Sequence, residues 1–295
     1  MTATAGNAPD IAVVGSVNLD IVANAARLPV AGETVTDATL HRYPGGKGAN
    51  QALAAKRLGA RVRLHACVGE DASAEEALRL LRAGGVDLAE CRTVAGLPTG
   101  TALIAVASSG ENQIVVAPGA NRALRPEMLT IPAADALICQ LEVPVTTLER
   151  LAERFDGMFC INLAPAMPVP DVLLSRADLI VVNETEAAYF GDSIRGGDGY
   201  LAITQGSDGA VLYRGGKEAA TSSPPAVDAV DTTGAGDTFT AALTVALVEG
   251  KAPEDALAFA CAAGALAATV PGAQPSLPTR EAVDALLLES SNRRG

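Results

Sequence analysis

Short apolar runs alternate with helical patterns along most of this 295-residue chain. The apolar runs predict buried strands at residues 11–15, 62–68, 136–140, 158–163, 179–182, 200–204 and 210–213. Helical patterns occupy residues 49–58, 73–83, 146–155, 237–249, 253–269 and 279–289. Repeated strand–helix units favour a mostly parallel sheet with helices on both faces. We therefore predict an α/β fold of the three-layer, doubly wound α/β/α type.

Two β-rich segments do not fit this alternation. Residues 34–42 are rich in β-prone types, and residues 101–117 contain two such runs around Ser108–Glu111, which predicts a hairpin. We expect these segments, near 34–43 and 101–117, to form a small separate sheet, a lid, inserted into one domain spanning 1–295. Residues 16–20 are expected to form a polar loop and residues 2–10 a frayed tail.

The charge balance restricts the class of partner. The formal net charge is -12, aromatic residues make up 3% and Trp is absent. Nucleic-acid binding normally needs a basic face and stacking side chains, so we expect no nucleic-acid partner. We also expect no membrane span, because no apolar run reaches about 20 residues. Five scattered cysteines (Cys67, Cys91, Cys139, Cys160 and Cys261) favour buried, reduced thiols and a cytoplasmic location.

The segment from Asp231 to Phe239 carries the strongest local signal. Gly234, Ala235 and Gly236 permit a tight turn with unscreened amides, and a helix follows at once. A helix N-terminus of this kind suits an anion such as a migrating phosphoryl group. Asp237 falls in the first turn, where its carboxylate could also reach an incoming hydroxyl. The alternative is a helix N-cap whose glycines serve packing.

A second glycine turn, residues 45–48, precedes another helix and brings Lys47 and Asn50 together. It lacks the spacing of a phosphate-binding Walker A loop, because position 41 is His rather than Gly. It could hydrogen-bond a polyhydroxylated ligand, or it could be an ordinary turn.

Polar side chains also follow several predicted strands: Asn18, Asp20, Glu142, Asn183 and Glu186. Open α/β sheets bind ligands beyond the carboxyl ends of their strands. Any one of these residues could instead be a cap or turn residue, but acidic or amide side chains after three different strands favour a site.

At these segments the sequence resembles the ribokinase family of carbohydrate kinases. The likeness covers nearly the whole chain in order, at residues 15–20, 32–35, 45–52, 118–121, 140–142, 162–165, 183–186, 231–239 and 272–276. The glycine-flanked Asp237 motif is the most specific of these segments.

The resemblance implies roles for individual residues. The implied sugar site consists of Asn18, Asp20, Gly46, Lys47, Asn50 and Glu142, with Asp237 as general base. The amides of Ala235, Gly236 and Asp237, after the turn at Gly234, would form an anion hole. Residues implied around ATP are Thr204, Gly206, Ser207, Gly209 and Gly236, with Asn183 and Glu186 arranging Mg²⁺ through water. Residues that match a monovalent-cation shell, usually K⁺, are Asp231, Thr233, Ala267, Val270, Gly272 and Ser276.

The implied activity is ATP-dependent phosphorylation of D-ribose at its 5-hydroxyl. Deoxyribose, a nucleoside or another small sugar remain alternative acceptors, and a non-catalytic sugar or nucleotide sensor is a further alternative. Family analogy also implies a homodimer through the lid strands. The sequence departs from the family pattern in two places. Residues 187–203 are too few for an extra helix that is usual in the family, so we expect a loop there. Cys261 stands near the implied adenine site, where family members can have a polar residue.

Overall fold

A computed structural model describes residues 8–130 and 133–292. The strands are β1 Asp10–Val14, β2 Asn18–Ala25, β3 Thr39–Gly45, β4 Arg61–Gly69, β5 Cys91–Val94, β6 Gly100–Ala107, β7 Asn112–Ala117, β8 Ala136–Gln140, β9 Met158–Asn162, β10 Leu179–Asn183, β11 Tyr200–Thr204, β12 Ala210–Arg214 and β13 Lys217–Ser222. The helices are α1 Lys47–Arg57, α2 Ala72–Ala83, α3 Val145–Arg154, α4 Asp171–Arg176, α5 Glu184–Phe190, α6 Ala235–Val248, α7 Pro253–Ala267, α8 Ala273–Ser276 and α9 Arg280–Asn292.

The large sheet has nine strands in the order β13-β12-β11-β10-β9-β8-β1-β4-β5. Its strands from β11 to β5 pair in parallel, and β12 and β13 add an antiparallel edge. Successive residues of β1 face opposite layers: Ile11 and Val13 pack with α1, α2, α6 and α7, whereas Ala12 and Val14 pack with α3. Burial on both faces explains why these strands read as continuous apolar runs. The three-layer α/β prediction is confirmed.

The small sheet has the order β3-β2-β6-β7, with β2 central. The predicted hairpin is confirmed as antiparallel β6 and β7. The polar loop expected at 16–20 is wrong from Asn18 onward, because β2 begins there and pairs with both β3 and β6. The strand expected at 34–42 is also misplaced: β3 is Thr39–Gly45, and residues 34–38 are irregular. Ladder partners remote in sequence, rather than local propensity, decide these boundaries.

Other differences are local. Strands β5 and β13 were not predicted, and both are edge strands of the large sheet. Asp10 begins β1, so it does not belong to a frayed tail, and residues 2–7 lie outside the described part. The loop expected at 187–203 is partly helical, because α5 extends to Phe190 and a 3-10 turn follows at Gly191–Ile194.

Across the described ranges, no helix is both long enough and apolar enough to span a membrane. All five cysteines are free thiols; four are buried, whereas Cys91 is only half-buried.

Candidate active site

The carboxyl end of β1 meets the first turn of α1 in a very close backbone contact. A β-carbon added to Gly48 would stand 2.6 Å from the carbonyl carbon of Gly15. The Ala49 amide donates to the Ser16 carbonyl at 2.9 Å. Glycine at positions 15 and 48 therefore lets α1 begin directly beside the carboxyl end of β1, where the neighbouring strands β8 and β9 also end.

Asp237 lies in the first turn of α6, with only 6% of its surface exposed. Its Oδ2 accepts a hydrogen bond from Asn50 Nδ2, and its Oδ1 accepts one from Gln51 Nε2, each at 2.9 Å. Both donors come from α1. The carboxylate is therefore held by two amide groups at the meeting point of two helix N-termini.

Gly234 caps α6 with φ of 82°, a conformation that favours glycine. The Ala235 amide donates to the Thr232 carbonyl at 3.1 Å, so, contrary to the prediction, it is directed into the turn. Among the described residues, the amides of Gly236 and Asp237 donate to no backbone carbonyl. Two amides and the helix dipole thus remain for an anion.

Asp20 and Asn18 lie on β2, beside this carboxylate. Burial, assisted by the charges of Glu142 and Asp237 and opposed by Lys47, raises the pKa of Asp20 to about 7. Asn18 Oδ1 accepts a hydrogen bond from Asn121 Nδ2 at 2.8 Å. The carboxylates of Asp20 and Asp237 are therefore close enough to repel each other.

Glu142 and Lys47 belong to the same cluster of charged side chains as Asp20 and Asp237. Glu142 Oε2 accepts from the Ser16 hydroxyl at 2.5 Å and from the Lys47 amide at 3.2 Å. Burial opposes the charge of the Lys47 side chain, but the carboxylates of Asp237, Glu142, Glu186 and Asp20 raise its pKa overall. One ammonium group is thus surrounded by four carboxyl groups.

Asn183 and Glu186 form a capping box at the start of α5. The Asn183 side chain accepts from the Glu186 amide, and Glu186 Oε2 accepts from the Asn183 amide, each at 2.8 Å. Burial raises the pKa of Glu186, assisted by Asp237 and opposed by the Asn183 amide and by Lys47. Both residues therefore have a structural role, and Glu186 also interacts through its charge with Lys47 and Asp237.

A cavity of about 490 Å³ lies against the N-terminus of α6, with Thr232, Ala235 and Gly236 in its lining. All five residues predicted around a nucleotide line it: Thr204, Gly206, Ser207, Gly209 and Gly236. Phe239 and Cys261 contribute to its apolar wall. Gly209 is needed for close packing, because an added β-carbon would stand 2.0 Å from the Ser222 carbonyl oxygen.

The six predicted cation-shell residues lie in two segments, residues 231–233 and 267–276, and hydrogen bonds to Asp231 join these segments. Asp231 Oδ1 accepts from the Thr233 amide at 2.9 Å, and Oδ2 accepts from the Gly272 amide at 2.8 Å. Although burial opposes its charge, these hydrogen bonds lower the pKa of Asp231. In the described part of the chain, the carbonyls of Thr233, Ala267 and Val270 accept no backbone hydrogen bond, whereas Gly272 is the N-cap residue of α8. The Ser276 hydroxyl donates to the Ala273 carbonyl at 2.8 Å.

Sequence reasoning missed four buried polar residues of the site: Gln51, Asn121, Gln140 and Asn162. Asn121 Oδ1 accepts from the Val17 amide at 2.9 Å and so fixes the start of β2. Gln51 directly follows the predicted site residue Asn50 in an alanine-rich helix, and a second amide side chain there was the available signal.

Comparisons with known proteins agree over most of the chain. The family model described as pfkB family carbohydrate kinase matches residues 8–280. The chain is 39% identical over 292 residues to a ribokinase of Bacillus subtilis, covering 94% of this chain and 99% of the relative. The structure of ribokinase from Thermotoga maritima superposes with a TM-score of 0.86 at 34% identity, covering 95% of this chain and 99% of that one. The structure of Arabidopsis thaliana ribokinase complexed with ribose and ATP gives 0.85 at 35% identity, with the same coverage.

Proposed function

Because this chain belongs to the pfkB family of carbohydrate kinases, we propose that it transfers the terminal phosphoryl group of ATP to the 5-hydroxyl of D-ribose. The ribokinase relatives, one of them solved with ribose and ATP, support this choice of sugar and nucleotide.

One observation carries the proposal: the Asp237 carboxylate lies in the first turn of α6, where it interacts with the charged residues around Lys47, and Gly236 beside it lines the cavity that Thr204 also lines. A sugar hydroxyl among the charged residues and a triphosphate in the cavity would meet at Asp237. The carboxylate acts as general base for the hydroxyl. It need not be a strong base, because phosphoryl transfer depends mostly on positioning and the proton leaves late.

In the proposed sugar site, Asp20 accepts hydrogen bonds from two hydroxyls of the sugar, as a carboxylate can. Asn50 contributes its Oδ1, a buried oxygen with no hydrogen-bond partner among the described residues, while its Nδ2 holds Asp237. Asn18, Gly46, Lys47 and Glu142 form the rest of the sugar site. Unpartnered buried polar atoms of this kind are costly unless a ligand satisfies them.

At the phosphate, the amides of Gly236 and Asp237 and the positive end of the α6 dipole stabilise the charge that moves during transfer. Gly234 provides the turn that exposes these amides. Thr204, Gly206, Ser207 and Gly209 border the nucleotide, with Cys261 in the apolar wall.

Mg²⁺ fits the acidic side of this site as a hydrated ion. No group of three His, Cys, Asp or Glu suited to direct metal binding occurs within residues 8–130 and 133–292. Asn183 and Glu186 each use one oxygen for capping, which leaves Glu186 Oε1 to hold a metal-bound water. When bound, Mg²⁺ neutralises phosphate charge, and it typically keeps several waters in such sites.

K⁺ fits the loops joined by Asp231. The donor set is the Asp231 carboxylate, the Ser276 hydroxyl and the carbonyls of Thr233, Ala267, Val270 and Gly272; those of Thr233, Ala267 and Val270 accept no backbone hydrogen bond from the described residues. Occupancy would stiffen residues 231–233, which lead directly into the Gly234 turn. We therefore expect K⁺ to stimulate turnover.

An acceptor panel tests the function. ADP release is measured with D-ribose, 2-deoxyribose, fructose and adenosine, each with KCl and with a tetramethylammonium salt. The proposal expects the highest kcat/KM for ribose and faster turnover with K⁺. Preference for another acceptor would reassign the substrate. Tight ribose binding with no turnover on any acceptor would make the chain a sensor.

We propose a homodimer through the small sheet, which acts as a lid over the sugar. Large apolar side chains are exposed on it: Leu40, Leu103, Ile114, Val115 and Val116. Apolar exposure of this kind marks interaction surfaces. Sedimentation of the wild type and of Val115→Lys tests this, since a dimer should weaken in the variant. Five free thiols support a cytoplasmic location.

A further inference from the structure

Gln51 uses its whole carboxamide in directed hydrogen bonds beneath Asp237. Its Nε2 carries two hydrogens: one reaches Asp237 Oδ1 at 2.9 Å and the other reaches Asn162 Oδ1 at 3.2 Å. Its Oε1 accepts from Gln140 Nε2 at 2.5 Å. The side chain is completely buried, so no water competes for these positions.

The partners of Gln51 stand at the ends of sheet strands, and one of them, Asn162, is held by a further hydrogen bond to the sheet. Gln140 is the last residue of β8 and Asn162 the last of β9. Asn162 Nδ2 donates to the Val181 carbonyl of β10 at 3.1 Å, which leaves its Oδ1 as an acceptor. A donor on one side and an acceptor on the other allow only one orientation of the Gln51 amide. In that orientation a donor, not an oxygen, faces Asp237.

We propose that Gln51, oriented by Gln140 and Asn162, is a positioning residue that fixes the direction of the Asp237 carboxylate relative to the sugar hydroxyl. The inference rests on the proposed function and deepens it. Asn50 holds Oδ2 and keeps its own Oδ1 without a hydrogen-bond partner among the described residues, whereas Gln51 holds Oδ1 and is fully buried with its carboxamide satisfied. Losing Gln51 would free the carboxylate to rotate without removing a sugar contact.

A neutral donor suits this place because of the charges around it. Asp20 on β2, Lys47 on α1 and Glu186 on α5 all interact with the charge of Asp237, and Glu142 lies beside Asp20 and Lys47. Another acid at position 51 would add repulsion, and a second ammonium would form an ion pair with the base. The Gln51 amide instead stabilises the carboxylate without exchanging protons with it.

The test measures kcat, ribose KM, ribose affinity by calorimetry and thermal stability in Gln51→Leu, Gln140→Leu and Gln51→Glu. Gln51→Leu should lower kcat about 100-fold, as misplacement of a reacting group does, with ribose affinity within about twofold of wild type. Gln140→Leu, which leaves Gln51 present but unfixed, should lower kcat by a smaller factor. In Gln51→Glu, two adjacent carboxyl groups share a proton, so the acidic limb of kcat against pH should move up by about one unit or more.

Thr244→Val is the matched control. Thr244 is fully buried on the same helix as Asp237, and its hydroxyl donates to the Thr240 carbonyl at 2.8 Å. This variant should lose stability without changing kcat or its pH profile. If the Gln51 and Gln140 variants behave like Thr244→Val, the residues are structural and the inference is overturned. If Gln51→Leu does not fold, the other two variants decide in the same way. Failure of the wild type to phosphorylate any sugar would instead refute the proposed function.

Discussion

The carboxylate of Asp20 lies against the α-carbon of Gly45. A β-carbon added to Gly45 would stand 2.1 Å from Asp20 Oδ2 and 2.4 Å from Cγ. The two residues belong to paired strands of the small sheet. The absence of a side chain on β3 therefore makes room for the acid on β2.

Gly45→Ala should displace the Asp20 carboxylate and raise the KM for ribose more than it lowers kcat. The cause is steric, because Gly45 does not have a positive φ that would strain alanine. The control is Gly196→Ala, where nothing lies within 4 Å of the added β-carbon. Steady-state kinetics of both variants check this, and an unchanged ribose KM in Gly45→Ala would remove Asp20 from the sugar site.

Ribose affinity should fall as the pH is lowered through 7. The pKa of Asp20 is about 7, so the acceptor form becomes scarce below that pH. If only the ionised form binds, affinity should fall about tenfold between pH 8 and pH 6. Calorimetry without nucleotide measures this directly. The pH dependence should be largely lost in Asp20→Asn; if it persists there unchanged, another group causes it.

Asp20→Asn should stabilise the free protein at pH 8 while weakening ribose binding. The folded-state pKa of Asp20 lies above its unfolded value of 3.8, so the folded state binds this proton more tightly. The stability of the wild type relative to Asp20→Asn is therefore highest below about pH 4 and falls as the pH rises to 7. Above pH 7 it stays lower than at acidic pH by on the order of a few kcal/mol. Melting temperatures at pH 5 and pH 8 check the sign. A variant less stable than wild type at pH 8 would contradict it.

Asp237→Asn should keep the fold and ribose binding but lower kcat by about 10²–10⁴-fold, because an amide cannot accept the hydroxyl proton. Side-chain volume is preserved, so the cavity should remain. Asp284→Asn is a suitable control, since that acid lies on α9 and only contacts Arg280 at 3.7 Å. Turnover of Asp237→Asn close to that of the control would exclude Asp237 as the base.

Much of the site could be predicted where the residues that form it lie close together in the sequence. Gly234, Gly236 and Asp237 lie within four residues of one another, so a turn, a helix N-terminus and a carboxylate could be inferred together. The five nucleotide-side predictions also fall on one cavity. Local backbone chemistry was sufficient in both cases.

The remainder depends on contacts between distant segments. Asn50 and Gln51 bind a carboxylate 187 and 186 residues away, and no local pattern indicates which face of α1 meets it. The first three residues of β2 look like a loop in the sequence because Asn18 and Asp20 are polar, yet the two ladder partners of the strand bury them. Tertiary pairing overrides propensity at such positions.

Four acids, Asp20, Glu142, Glu186 and Asp237, interact with the charge of Lys47. This arrangement affects which ionic form of the nucleotide the protein binds. A bare triphosphate would bring several more negative charges toward a region that already has an anionic surplus. Its complex with a divalent ion carries fewer, and the repulsion at these short distances is correspondingly weaker. The uncomplexed nucleotide should therefore be a poor competitor, so that the acidity of the chain selects the form in which the phosphate donor arrives.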